Sequence, residues 1–126
     1  STAVQYRAPV KVMILNNEWM GMVRQWQQLL HGERYAHSYS ESLPDFVKLA
    51  EAYGATGLRV EHPSALDEAI RAMIDTPGPV LLDCRIVKEE NCFPMIPSGR
   101  AHNEMILGAA AESLDEAITE EGKMLV

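Results

Sequence analysis

Three short runs of β-branched and large apolar residues punctuate this chain, at residues 10–15, 56–60 and 80–87. The first, Val-Lys-Val-Met-Ile-Leu, and the third, Val-Leu-Leu-Asp-Cys-Arg-Ile-Val, are apolar on both sides of the strand alternation, as suits strands buried in a parallel sheet. Helical patterns lie between them. The first run stops at Asn16-Asn17, and from Met20 onward Met22, Val23, Trp26, Leu29 and Leu30 recur on one side of a helix until Gly32 offers a stop. Residues 33–43, polar and aromatic without a period, predict an ordered loop. Pro44 suits a first helical position, Phe46, Leu49, Ala50 and Tyr53 form a stripe, and Gly54 suits the left-handed closing residue.

Ser64 and Asp67 have the form of a capping-box variant, opening a helix whose buried face is Leu66, Ile70, Met73 and Ile74. Thr76-Pro77-Gly78-Pro79 breaks it. The order strand, helix, helix, strand, helix, strand is the grammar of an α/β fold, a partial open and mostly parallel sheet with covering helices.

Charge and composition exclude several classes of function. With 11 basic against 18 acidic side chains the net charge is −7, which argues against the clustered Lys and Arg of a nucleic-acid surface. Residues 109–126 hold five of those acids against one lysine and are expected to be a mobile acidic tail. No apolar run approaches the roughly 20 residues of a membrane span, and residues 1–7 lack a signal-peptide core. Cys84 and Cys92 form no disulfide framework or zinc spacing, so they are expected to be reduced thiols, and His31, His37, His62 and His102 show no ligand spacing.

Three segments hold the candidate chemistry. Asn16-Asn17-Glu18-Trp19-Met20-Gly21-Met22 lies just beyond the carboxyl end of a strand, where open α/β sheets bind ligands. An Asn side-chain oxygen and an exposed carbonyl are hard donors suited to magnesium, and a glycine ahead of a helix lets backbone approach a phosphate. The pair equally fits an ordinary turn with satisfied side chains. Trp26 fits either a core position or the wall of a cleft, given its polar neighbours Arg24, Gln25, Gln27 and Gln28. Phe93-Pro94-Met95-Ile96-Pro97-Ser98-Gly99 is apolar and rigid, a packed crossing or a lid. No acid–base pair, triad or metal cluster is complete within these residues.

Taken together and in order, residues 10–26, Thr76-Pro77-Gly78-Pro79 and Met95-Ile96-Pro97-Ser98-Gly99 resemble the acetolactate synthases over about residues 1–108. The resemblance implies the C-terminal portion of a thiamine-diphosphate-binding fold. It implies that Asn17 and Trp19 hold Mg2+, by side-chain oxygen and backbone carbonyl, and that Gly21 and Met22 lie against thiamine diphosphate. Met22, Val23, Trp26 and Ser98 would line a substrate channel that sulfonylurea and imidazolinone herbicides block. Arg100-Ala101-His102 departs from the smaller residues often found after that Ser-Gly.

The implied reaction decarboxylates pyruvate and condenses the carbanion with pyruvate or 2-oxobutyrate, in branched-chain amino-acid biosynthesis. The resemblance places no catalytic residue here: the Gly-Asp-Gly half of the metal motif, the activating glutamate and the FAD domain belong to other parts of such a subunit. It further implies a cytoplasmic homodimer or homotetramer with a small regulatory subunit, acting on small 2-oxo acids. Pyruvate oxidase, glyoxylate carboligase and a non-catalytic interaction module are the alternatives.

Overall fold

In the computed structural model, which describes residues 1–108, the three apolar runs become the strands of one parallel sheet. These are β1 (Lys11–Asn16), β2 (Thr56–Val60) and β3 (Val80–Arg85), in the spatial order β1-β3-β2. The helices are α1 (Thr2–Gln5), α2 (Gly21–Leu30), α3 (Phe46–Ala52) and α4 (Leu66–Asp75). The chain divides into two compact units. The first is Ser1–Glu18 with Glu41–Lys88 and contains the sheet, and the second is Trp19–Ser40 with, among the described residues, 89–108. The tail expected to be mobile, residues 109–126, lies outside the described residues. No helix among the described residues is long and apolar enough to cross a membrane.

Register explains which side chains meet. Val12 and Gly57 both pair with Leu81, and Met13 and Leu58 with Leu82. Because successive side chains alternate, Val12, Asn16, Gly57, Arg59, Leu81 and Asp83 share one face, while Met13, Leu15, Leu58, Val60, Leu82 and Cys84 share the other. α4 packs on the second face, where Val60, Met73, Val80, Leu82 and Cys84 form the buried core with Leu58, Leu66 and Ala69 against it. α3 covers the first. Its approach is so close that a Cβ on Gly57 would stand 2.6 Å from the Val47 carbonyl oxygen. Central β3 is thus sandwiched, whereas β1 at the edge leaves Val12 and Leu15 exposed.

Several boundaries differ from expectation, each for a local reason. α3 starts after Asp45, not at Pro44, because the Asp45 carboxylate accepts from the Val47 and Lys48 N–H groups and so satisfies two unbonded donors. Ser64 and Asp67 form no capping box: a 3-10 turn, Pro63–Ala65, runs directly into α4 and supplies carbonyls to its first N–H groups. The third strand ends at Arg85 rather than residue 87, after Ile86 donates to the Asn16 carbonyl at 3.2 Å. Gly54, at φ +78°, closes the α3 region in the left-handed conformation as expected.

α2 departs furthest. It belongs to the second unit rather than the sheet, and its buried residues are Arg24, Gln25 and Leu29, not the Met22-Val23-Trp26 side.

Candidate cofactor site

In the first unit the site begins where β1 ends. The buried Asn16 amide donates from Nδ2 to Asp83 Oδ1 at 2.8 Å, and its Oδ1 accepts from the Glu18 N–H at 3.1 Å. The second bond closes an Asx turn over Asn17. Glu18 is thereby held at φ +63°, a conformation that a non-glycine residue keeps only when its surroundings enforce it. The Glu18 carboxylate is in turn gripped by Arg85 at 3.0 Å and by Lys88.

Asp83 is 1% exposed. Its Oδ2 accepts from Arg59 Nε at 3.0 Å, and Arg59 also reaches Asp45 at 2.9 Å. The bond to Asp83 raises the Arg59 guanidinium above its already high value. Asp45 is lowered, by the Lys48 N–H first and then by the charge of Arg59.

In the second unit, α2 opens with no side-chain bond from its N-cap, Met20, and with no acidic residue in its first turn. A ten-residue helix that begins so offers its leading N–H groups and the positive end of its dipole to an anion. Trp19 packs between Tyr35 and Tyr39, ring centroids 5.4 and 5.0 Å away, and the Met20 N–H donates to the Ser38 carbonyl at 2.8 Å.

Arg24 spreads over the Trp19 and Tyr35 rings at 5.5 and 5.7 Å and donates to the Glu89 carbonyl and to Asn91. Gln25 pairs with one residue of the later loop: its Oε1 accepts from the Cys92 N–H at 2.6 Å while its Nε2 donates to the Cys92 carbonyl at 3.1 Å. Met95 and Ile106 exchange backbone bonds of 2.9 and 2.7 Å, which closes that loop as a two-residue bridge.

Of the residues singled out from sequence, Asn17 follows β1 in the first unit, and Trp19, Gly21, Met22, Val23, Trp26 and Ser98 lie in the second. Met22, Val23 and Trp26 fall within one helical turn of each other and stand 56%, 43% and 42% exposed. Ser98 occupies an exposed turn in which the Arg100 N–H donates to the Pro97 carbonyl at 3.1 Å. Asn16, read from sequence as half of a pair, is the buried member. Arg24, Gln25 and Asp83 were missed altogether, although an acid inside an otherwise apolar run and two polar residues interrupting an amphipathic stripe were visible signals.

Among the described residues there is no group of three or more His, Cys, Asp or Glu side chains that could hold a metal. The donors that the sequence implies for magnesium here, the Asn17 amide oxygen and the Trp19 backbone carbonyl, are neutral oxygens. Such a set suits an ion whose charge is balanced by phosphate and by a carboxylate from elsewhere.

Residues 1–84 match the family model described as thiamine pyrophosphate enzyme, C-terminal TPP binding domain. The chain is 50% identical over 106 residues to the acetolactate synthase large subunit of Pyropia yezoensis, covering 83% of this chain and 18% of that protein. It is 46% identical over 106 residues to the mitochondrial acetolactate synthase catalytic subunit of Saccharomyces cerevisiae, covering 84% and 15%. The chain thus spans less than a fifth of the length of these relatives. Among solved structures, a thiamine diphosphate-dependent 4-hydroxybenzoylformate decarboxylase from Rhodococcus jostii RHA1 superposes with a TM-score of 0.63 at 28% identity, over 72% of this chain and 17% of that one. The parallel sheet, the turn after its first strand and the family match agree: this chain belongs to the thiamine pyrophosphate enzymes and carries a C-terminal part of their cofactor-binding domain.

Proposed function

We propose that this chain forms the C-terminal, cofactor-anchoring part of an acetolactate synthase catalytic subunit. The observation that carries the proposal is the Asx turn at Asn16-Asn17-Glu18, built at the carboxyl end of a parallel strand and followed in sequence by a helix with no side-chain cap. In this reading Asn17 and Trp19 give magnesium an amide oxygen and a backbone carbonyl, and Gly21 and Met22 lie against the cofactor diphosphate. Thiamine diphosphate, when bound, supplies the decarboxylation and carbon–carbon bond chemistry.

The side chains of this chain supply recognition. Met22, Val23 and Trp26, with Ser98, would form an apolar wall that excludes water and distinguishes acceptors by one methyl group. Their exposure on α2, while its polar Arg24 and Gln25 are buried, supports a surface kept apolar for something other than the core. FAD, a homodimer or homotetramer, a small regulatory subunit and a cytoplasmic setting are proposed with the parent enzyme. The unpaired Cys84 and Cys92 suit a reducing compartment.

The test uses the complete subunit with pyruvate, 2-oxobutyrate, magnesium and thiamine diphosphate. Condensed 2-alkyl-2-hydroxy-3-oxo acids are the expected products, and free aldehyde without condensation would assign the chain to a decarboxylase instead. Trp26→Leu should shift the ratio of the two condensation products by about 1–3 kcal/mol, the usual worth of one methyl contact. Because Trp26 is 42% exposed, its loss should cost less stability than the about 3–5 kcal/mol of a buried tryptophan truncated to alanine. A large drop in melting temperature with an unchanged product ratio would make Trp26 a packing residue.

A further inference from the structure

We infer that Asp83 is a positioning residue for the metal-binding turn, acting through Asn16; the inference rests on the proposed role of Asn17. A carboxylate on the central strand, 1% exposed and flanked by Leu82 and Cys84, is an expensive choice where an apolar side chain would pack. Arg59 at 3.0 Å and Arg85 at 3.9 Å do not by themselves account for it, because each has another carboxylate partner, Asp45 and Glu18.

What Asp83 alone supplies is a pair of acceptor oxygens placed between two donors. One oxygen receives Arg59 Nε at 3.0 Å and the other receives Asn16 Nδ2 at 2.8 Å. The second bond decides which way the Asn16 amide faces. With its nitrogen committed to Asp83, its oxygen must face the Glu18 N–H, where it accepts at 3.1 Å. A flipped amide would set oxygen against carboxylate and nitrogen against N–H, two repulsive contacts in a buried place.

The orientation of Asn16 thereby determines the turn, with Glu18 at φ +63°, and Asn17 is the residue that this turn carries. Arg85 and Lys88 both hold the Glu18 carboxylate. Every one of these contacts lies within the first unit. Asp83 never needs to touch the metal. It acts by making one conformation of residues 16–18 the resting one, so that the backbone bearing Asn17 is held in place before the metal binds.

The decisive variant is Asp83→Asn. It preserves shape but presents one acceptor and one donor to two donors, so the bond to Asn16 or the bond to Arg59 is lost. Binding of Mg2+ to the complete subunit in saturating thiamine diphosphate is measured by titration calorimetry, alongside the melting temperature without metal. Asp83→Asn and Asn16→Ala should each weaken Mg2+ binding tenfold or more.

Met73→Ala, which opens a cavity in the core on the face of the sheet opposite Asp83, should lower the melting temperature yet keep Mg2+ affinity within about threefold. Should Asp83→Asn fail to fold, Asn16→Ala at the strand end decides alone. Asn17→Ala separates the two ideas. If it abolishes binding while Asp83→Asn and Asn16→Ala bind normally, the positioning role is overturned and the metal reading stands. If Asn17→Ala binds normally, both fall. Equal weakening by Met73→Ala would also overturn the inference, since the effect would then follow stability rather than the Asn16 amide.

Discussion

Gly57→Ala probes the closest approach in the sheet unit. A methyl group there would lie 2.6 Å from the carbonyl oxygen, 2.8 Å from the Cα and 2.9 Å from the Cγ1 of Val47. Two of these three are backbone atoms, so no rotamer change relieves the clash. Restoring an ordinary contact of about 3.4 Å requires α3 to move outward by about 0.8 Å, which forfeits much of the dispersion contact beneath it.

The helix carries Asp45 at its N-cap, and its bond to Arg59, 2.9 Å long, would be stretched by the same movement. Overpacking of this kind costs about 1–3 kcal/mol. Against it stands the gain from restricting the unfolded chain, about 0.4–1 kcal/mol for glycine to alanine. The net is a destabilisation of about 1–2 kcal/mol. Hydrogen exchange at the Leu49 and Ala50 amides reads it directly, since they lie mid-helix and lose protection when α3 loosens. About 5- to 30-fold faster exchange is expected. Unchanged or slower exchange would refute the reasoning, because it would mean that α3 can accept the methyl without moving or that its seat on β2 is looser than 2.6 Å implies.

Two further outcomes follow from particular bonds. Asp45 titrates below its ordinary value of 3.8, so its stabilising bonds to α3 are present above that value and are lost as pH falls through the lower folded one. Asp45→Asn should therefore lower stability near neutrality and remove part of the decline seen on acidification, which circular dichroism from about pH 5 to pH 2 would show. Gln25→Ala removes the partner of the N–H and carbonyl of the exposed Cys92, at a cost of about 0.5–1.5 kcal/mol per bond, and should speed exchange of the Cys92 and Met95 amides while that of Leu82 stays unchanged.

The strands and helices of this chain were legible because their signals are local. Short apolar runs mark β1 and β3, Thr56-Gly-Leu-Arg-Val marks β2, and Gly54 marks the end of α3 by the one conformation that favours it. The turn at Asn16-Asn17 was legible for the same reason, since a polar pair directly after an apolar run marks where a strand stops. The spatial order β1-β3-β2 was not, because it depends on which strands meet rather than on what each strand is.

Nor could the sequence tell Asn16 from Asn17, or reveal that α2 turns Arg24 and Gln25 inward and leaves Met22, Val23 and Trp26 at the surface. Periodicity assumes that buried means apolar. That assumption fails wherever a polar side chain finds distant partners: Asn16 meets Asp83 and Gln25 meets Cys92, each 67 residues away along the chain. Only the tertiary structure supplies those partners, and a buried polar group is tolerable because they are there.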